Sequence, residues 1–206
     1  MPLPALLLAA ALAAAPTVTT DRDCYVAGHD TIAIDGSGFT PGAAVTLTFT
    51  GNDTPLTSDA TADATGALQT EVTAPALEDF GVEPPGLPVA VSTADGAFAG
   101  IELTDWSATV DGFGRPVRRG QSVKLETIGW TGTTGPLYAH YMRGGKLVHS
   151  QRIGTPTGAC GDLTKRFKAF SFRGAKPGTY SVRISATASF DKRDRWIGFK
   201  RVKLAS

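Results

Sequence analysis

The chain is short of the residues that metal-dependent chemistry needs. Its 206 residues include only two cysteines and three histidines, and aromatic residues make up 8% of the total. The histidines, His29, His140 and His149, form no His-x-x-x-His pair, and no Cys-x-x-Cys pair occurs. Zinc and similar ions require clustered ligands at short spacings. The sequence therefore predicts no metal site.

The motifs of nucleophilic and nucleotide-dependent enzymes are also missing. No Gly-x-Ser-x-Gly marks a serine nucleophile, and Cys160 has no histidine or acid partner in a local motif. Neither Gly-x-Gly-x-x-Gly nor a Gly-Lys-Ser/Thr loop occurs, so no nucleotide cofactor is indicated. We predict no catalytic residue and no cofactor, and we keep an unrecognised hydrolase as the less favoured alternative.

Long apolar runs are confined to the start of the chain. Residues 1–15 are apolar and end in small side chains, a stretch too short to span a bilayer and typical of a secretory signal peptide. No apolar segment of about twenty residues follows, so no membrane span is predicted in the mature chain. We expect a secreted protein, extracellular or associated with the cell envelope.

What the sequence does contain is short alternating segments between turns, with 24 Gly and 13 Pro. Alternation with a period of two predicts strands, and no sustained helical period occurs. The fold class is all-β, with two tandem immunoglobulin-like antiparallel β-sandwich domains at 16–104 and 105–206. The predicted strands are Thr17–Thr20, Thr31–Asp35, Ala44–Thr50, Ala67–Thr73, Leu87–Thr93, Ala97–Leu103, Trp106–Val110, Ser122–Ile128, Leu137–Arg143, Lys146–Ile153, Leu163–Phe172, Gly178–Thr187 and Trp196–Leu204.

The turn sequences Gly36–Ala43 and Thr61–Gly66 carry a resemblance. With them, residues 16–103 resemble the bacterial immunoglobulin-like sandwich that includes the neocarzinostatin apoprotein family. Members of that family carry two disulfides around a chromophore cleft, whereas this segment contains Cys24 alone. The resemblance therefore implies a fold and no site residue. A ligand carrier with an apolar pocket lined by Phe39, Phe49 or Phe80 remains an alternative.

Charge is divided unequally between the two predicted domains. Residues 16–104, the acidic half, contain thirteen Asp or Glu and one basic residue, giving −12. Residues 105–206, the basic half, contain six acids and nineteen Lys or Arg, giving +13. Either the halves dock through complementary faces, or the basic half binds an outside polyanion, or the charges only keep both halves solvated.

Many of the basic residues lie in two segments, 165–168 and 191–203, that also contain aromatic residues. For an exported chain, an anionic cell-envelope polymer or a protein partner is expected, and nucleic acid is not. Strand alternation explains the same segments as inward aromatic and outward charged residues, and most of the tryptophan and tyrosine residues are expected in the core rather than on a sugar-stacking face. The predicted polyanion-binding residues are Lys165, Arg166, Lys168, Arg193, Arg195, Lys200, Arg201 and Lys203.

Each half contains one cysteine, Cys24 and Cys160. Export exposes them to oxidising conditions, which favours a disulfide between the halves. Closing a loop of ~136 residues would stabilise the folded chain by ~4–5 kcal/mol in the chain-entropy model. Two buried free thiols, or pairing with another molecule, are the alternatives.

Overall fold

The described residues, 15–52, 55–81 and 86–206, form strands and turns in this computed structural model. The all-β class predicted from the sequence is confirmed. A 3-10 helix at Leu77–Phe80 interrupts the strands, and no helix in the described part of the chain has the length and apolarity to cross a bilayer. The predicted signal peptide, apart from residue 15, lies outside the described residues.

Fifteen strands are described, and they are numbered in chain order. In the acidic half they are β1 (Thr17–Thr20), β2 (Cys24–Val26), β3 (Thr31–Ser37), β4 (Ala44–Thr50), β5 (Leu56–Thr61), β6 (Leu68–Thr73), β7 (Gly86–Thr93) and β8 (Phe98–Thr104). In the basic half they are β9 (Ser107–Val110), β10 (Ser122–Ile128), β11 (Leu137–Arg143), β12 (Lys146–Gly154), β13 (Leu163–Lys168), β14 (Gly178–Ser185) and β15 (Trp196–Leu204).

The acidic half consists of two packed sheets. Their strand orders are β1-β3-β6 and β2-β8-β7-β4-β5, and all pairs are antiparallel except β2 with β8. Alternate side chains point inward, as in β4, where Val45, Leu47 and Phe49 are buried. Side chains from both sheets form one hydrophobic cluster that extends in sequence from Val18 to Leu103. This cluster is the core of the half.

The basic half repeats the arrangement with its own core. Its sheets have the orders β13-β10-β9 and β12-β11-β14-β15, and every pair is antiparallel. The buried cluster between them extends from Val110 to Leu204 and includes Trp130 and Tyr141. Because the two clusters share no residue, we keep 16–104 and 105–206 as the proposed domain boundaries. The immunoglobulin-like classification itself stays a prediction.

The hairpin between β11 and β12 follows directly from its turn residues. Arg143 pairs with Lys146, and Gly144 and Gly145 connect them with φ values of 55° and 78°. Two consecutive positive φ values suit a two-residue hairpin turn and favour glycine. Strands β4, β10, β11 and β15 also begin and end where alternation predicts.

Three strands differ from the sequence prediction by more than two residues. β2 was missed because all three of its residues are buried, so it shows no alternation. β5 was missed because its sequence, Leu-Thr-Ser-Asp-Ala-Thr, contains one large apolar residue and forms a sheet edge. β13 ends at Lys168, before the predicted Phe172, because Phe170 takes a positive φ of 52° and turns into the core.

A disulfide joins the two halves. Cys24 begins β2, Cys160 lies in the loop between β12 and β13, and their Cα atoms are 5.1 Å apart. Both residues are buried. Glu102, the strand partner of Cys24, places a carboxylate oxygen within 4.8 Å of the two sulfur atoms, but bonded sulfurs offer no thiolate to a metal. The disulfide favoured by the sequence is thus present as a covalent crosslink between the halves.

Removing this crosslink is expected to destabilise the protein. The double variant Cys24→Ser/Cys160→Ser frees a loop of 136 residues, so its free energy of unfolding should fall by up to about 4–5 kcal/mol. Urea unfolding of the oxidised protein and the variant measures the difference. The wild-type protein in reductant should unfold like the variant, and equal midpoints for oxidised and reduced protein would show that the crosslink restrains nothing.

Candidate functional site

The junction between the halves is organised around the carboxylate of Asp30, in the turn between β2 and β3. The side chain is only 8% exposed. Its Oδ1 accepts a hydrogen bond from Arg195 Nη2 at 2.5 Å, and its Oδ2 accepts one from Thr131 Oγ1 at 2.6 Å. Within the acidic half, the Val26 amide and Arg22 Nη1 donate to Oδ2 at 3.0 and 3.4 Å. The basic half therefore supplies two of the donors to this buried acid.

Arg195 is held in place by its other contacts in the basic half. Its Nη1 donates to the Gly129 carbonyl at 3.2 Å, and its guanidinium lies 5.2 Å from the centre of the Trp106 ring. Gly129 has a φ of 87°, and a Cβ there would lie 2.5 Å from the Asp105 carbonyl oxygen. Only glycine allows the loop to approach the linker between the halves this closely.

The surroundings of Asp30 keep it ionised. Burial acts to raise its pKa, but hydrogen bonds from Thr131, the Val26 amide and Arg195 outweigh it, so the pKa lies below the ordinary 3.8. An ion pair in such a site repays its desolvation only when further hydrogen bonds complete it. Asp30 has those bonds, so we assign it the role of orienting one half against the other.

A pocket of about 330 Å³ lies beside the Asp30–Arg195 pair. Most of its polar side chains bind one another: Asp194 accepts a hydrogen bond from Thr187 Oγ1 at 2.9 Å, and Thr131 donates to Asp30. The pocket therefore lies at the junction, where the acidic half contributes Asp30 and the basic half contributes the other lining residues. Its lining residues are Asp30, Trp130, Thr131, Thr133, Ala186, Thr187, Asp194 and Arg195.

A buried set of polar contacts is centred on His140, and it was not predicted from the sequence. Its Nδ1 and Nε2 lie 2.8 Å from Ser150 Oγ and Ser185 Oγ, and the Phe190 ring packs 5.4 Å away. The imidazole is completely buried. Burial lowers its pKa below 6.5, although a hydrogen bond to the Thr187 backbone opposes the shift. Through Ser150 on β12 and Ser185 on β14, the buried ring connects the two strands that flank β11, and Phe190 of the loop before β15 packs against it.

Six of the eight predicted polyanion-binding residues are exposed on two edge strands. The β13 cluster comprises Lys165, Arg166 and Lys168, and the β15 cluster comprises Lys200, Arg201 and Lys203. β13 lies beside β12, whereas β15 is at the far edge of that four-stranded sheet. Within that sheet, three strand spacings place β12 and β15 about 14 Å apart. The structure therefore gives two basic edges rather than one continuous groove.

The other two predicted residues are bound to carboxylates. Arg193 pairs with Asp191 at 2.8 Å within its own loop, and Arg195 pairs with Asp30 at the junction. In the described residues, none of the six edge residues forms a salt bridge. The edge clusters, and not the arginines of the loop before β15, thus present free positive charge.

The aromatic residues considered for ligand binding are mostly core residues. Phe39, Phe49 and Phe80 are all buried in the core of the acidic half, so they fill its interior instead of lining a cleft. Trp130 and Tyr141 are buried in the same way in the basic half. Of the three tryptophans, Trp106 and Trp196 are partly exposed.

Comparison with known proteins gives no family. No protein-family model matches the chain, and no curated protein does. Among solved structures, it is similar to a tetra-tandem repeat from the extending region of a large adhesion protein, with 15% identity, 92% of this chain covered and a TM-score of 0.29. It is also similar to a Ca²⁺-stabilised ice-binding adhesin of an Antarctic bacterium, with 14% identity, 91% coverage and a TM-score of 0.30.

The chain spans 48% of the length of each of these two solved chains. TM-scores at this level do not define a common fold.

Replacing Asp30 is expected to weaken the junction. Asp30→Asn leaves Arg195 without its counter-ion, so the free energy of unfolding should fall by about 2 kcal/mol, less than for a fully buried pair because Arg195 is one-third exposed. Since the folded-state pKa of Asp30 is lowered, its contribution is present above about pH 4 and is lost as the pH falls further.

Urea unfolding of the wild-type protein and the Asp30→Asn variant at neutral and acid pH measures both effects. Asp35→Asn, at an exposed position on β3, is the matched control and should change stability by less than about 0.5 kcal/mol. A difference between wild type and Asp30→Asn that persisted unchanged below about pH 3 would contradict the ionic role.

His140 is expected to make the fold sensitive to mild acid. With its folded-state pKa below 6.5, the unfolded chain binds the proton first, so stability is complete above about pH 6.5 and declines as the pH falls. His140→Gln should flatten the decline between about pH 7 and pH 5. His149→Gln, which replaces a less buried imidazole whose pKa burial also lowers, should have the smaller effect. An unchanged profile in the His140 variant would exclude this role.

Proposed function

We propose that this chain is an exported, non-catalytic binding module whose basic half contacts an anionic polymer of the cell envelope. The proposal rests on one observation: most basic side chains of the basic half are not paired with a carboxylate. Of the five salt bridges in the described residues, Asp30–Arg195 alone joins the halves. If two oppositely charged faces had docked, many more of the nineteen basic side chains would form ion pairs with carboxylates of the acidic half.

The positions of the free charges favour an extended partner. The β13 and β15 clusters lie on opposite edges of one sandwich, so a flexible polyanion contacts either edge without entering a cleft. Exposed cations raise the local concentration of a polyanion, and salt screens this attraction over about 10 Å at 0.1 M. Binding of this kind is distributed over several weak contacts and is sensitive to ionic strength.

The covalent and ionic links at the junction support a module of fixed shape. The Cys24–Cys160 disulfide and the Asp30–Arg195 pair connect the halves through different loops. A structural disulfide persists in oxidising compartments, which agrees with export. Holding an acidic half on one side directs the basic half toward an anionic surface, because the acidic half is repelled by it.

A defined polymer tests the proposal directly. Fluorescence anisotropy with labelled polygalacturonate should show binding that weakens as sodium chloride rises from about 50 to about 500 mM. The triple variant Lys165→Gln/Arg166→Gln/Lys168→Gln should lose affinity by about tenfold at low salt, or about 0.5 kcal/mol for each exposed charge.

A control variant separates the edge cluster from net charge. Arg115→Gln/Lys146→Gln/Lys176→Gln removes three exposed positive charges elsewhere on the basic half, and its affinity should fall by no more than about threefold. If both triple variants lost the same affinity, overall charge and not the β13 cluster would determine binding. Absence of polymer binding, together with salt-dependent compaction of the free protein in X-ray scattering, would favour docking of the halves and overturn the proposal.

A further inference from the structure

Arg183 of β14 lies in an aromatic corner on the outer face of the four-stranded sheet. The centre of its guanidinium is 4.2 Å from the Trp196 ring centroid and 4.8 Å from that of Phe190. The two rings are 6.1 Å apart and inclined by 68°. Cation–π contacts on two sides hold the guanidinium at a fixed place on the sheet.

A glycine makes this corner possible. Gly198 of β15 is the direct strand partner of Arg183. A Cβ at Gly198 would lie 2.7 Å from the Trp196 ring, so a larger residue would displace the indole. Trp196 Nε1 also donates to the Lys192 carbonyl at 3.4 Å. Gly198 and the hydrogen bond to Lys192 thus hold the Trp196 indole in place next to Arg183.

The guanidinium of Arg183 differs from its neighbours in lacking a protein acceptor. Arg193 and Arg195 each bind a carboxylate, whereas the described residues provide no salt bridge and no hydrogen bond to the Arg183 guanidinium. The aromatic rings accept no conventional hydrogen bond from it, so its N–H groups are left without an oxygen acceptor among the described residues. Those groups form the fork that binds a carboxylate through two parallel hydrogen bonds.

A shallow pocket of about 100 Å³ adjoins this fork. Its walls combine two cationic side chains, one hydroxyl and aromatic surface, and none of them is acidic. A pocket of this size holds one charged group with a few carbon atoms. Aromatic walls favour a ligand with C–H faces over a bare phosphate. The lining residues are Ser181, Arg183, Trp196, Gly198, Phe199 and Lys200.

We propose that Arg183, supported by Trp196 and assisted by Lys200, binds the carboxylate of an acidic sugar residue within an anionic polysaccharide. This inference rests on the proposed function and adds the recognised group. The edge clusters supply attraction along the polymer, and the Arg183 pocket supplies the contact that distinguishes a carboxylated sugar from other polyanions.

The test uses a substitution that preserves charge. Arg183→Lys keeps the positive charge and loses the planar fork. It should lower affinity for polygalacturonate about tenfold and leave affinity for polyphosphate within about twofold. Arg143→Lys is the matched control, because Arg143 also lies over an aromatic ring, that of Tyr180, but donates to the Pro177 carbonyl. The control should bind both polymers like the wild-type protein.

A second measurement detects the pocket without the polymer. In the wild-type protein, digalacturonate should shift the indole N–H resonance of Trp196 in a ¹H–¹⁵N correlation spectrum, and in Arg183→Lys the shift should be lost. Unchanged thermal midpoints in both arginine variants would show that the fold is intact. A lowered midpoint in Arg183→Lys with undiminished polygalacturonate binding would make the corner purely structural and overturn the inference.

The outcomes separate the two proposals. If the wild-type protein binds no polyanion, both fail. If it binds polygalacturonate and Arg183→Lys binds equally well, polymer binding stands and the Arg183 site is overturned. If Arg183→Lys weakens polyphosphate and polygalacturonate to the same extent, the carboxylate assignment is overturned.

Discussion

The arrangement of the two halves depends on one buried carboxylate that neither half can satisfy alone. The acidic half supplies Asp30 with the Val26 amide at 3.0 Å and with Arg22 at a longer 3.4 Å. The basic half completes the site with Thr131 and Arg195. Removing a charge from water costs several kcal/mol unless hydrogen bonds replace the lost hydration. The ionised acid therefore favours the assembled junction over any arrangement in which the loops of the basic half move away.

The position of the junction also explains why the charges of the two halves stay largely unpaired in the folded protein. The contact between the halves is made by loops at one end of the basic sandwich, because Gly129 approaches the linker and Cys160 is bonded to β2. The charged edges of β13 and β15 belong to the sides of that sandwich and are left to solvent. Among the residues that the structure describes, the opposite net charges of the two halves thus coexist with a single ion pair between them, and the basic edges stay available to a partner.

Alternation along the chain was sufficient to predict the fold class, most strand positions and the hairpin at Gly144-Gly145, since each of these follows from neighbouring residues. The junction did not follow, because Asp30 is separated from Arg195 by 165 residues and looks like any other acid of the acidic half. His140 was equally hidden, as its serine partners lie on adjacent strands. Pairing across sheets and between halves is set by tertiary structure, which residue spacing does not encode.

The basic segment before and within β15 shows how composition misleads at the level of single residues. Its charges look equivalent in sequence, yet Arg193 closes a local turn with Asp191, Arg195 completes the junction, and Lys200 faces solvent beside the Arg183 pocket. Only a residue whose donors are left over after folding is free to bind a partner. By that criterion Arg183, which lies outside the basic segment, is better suited to recognition than Arg193 or Arg195.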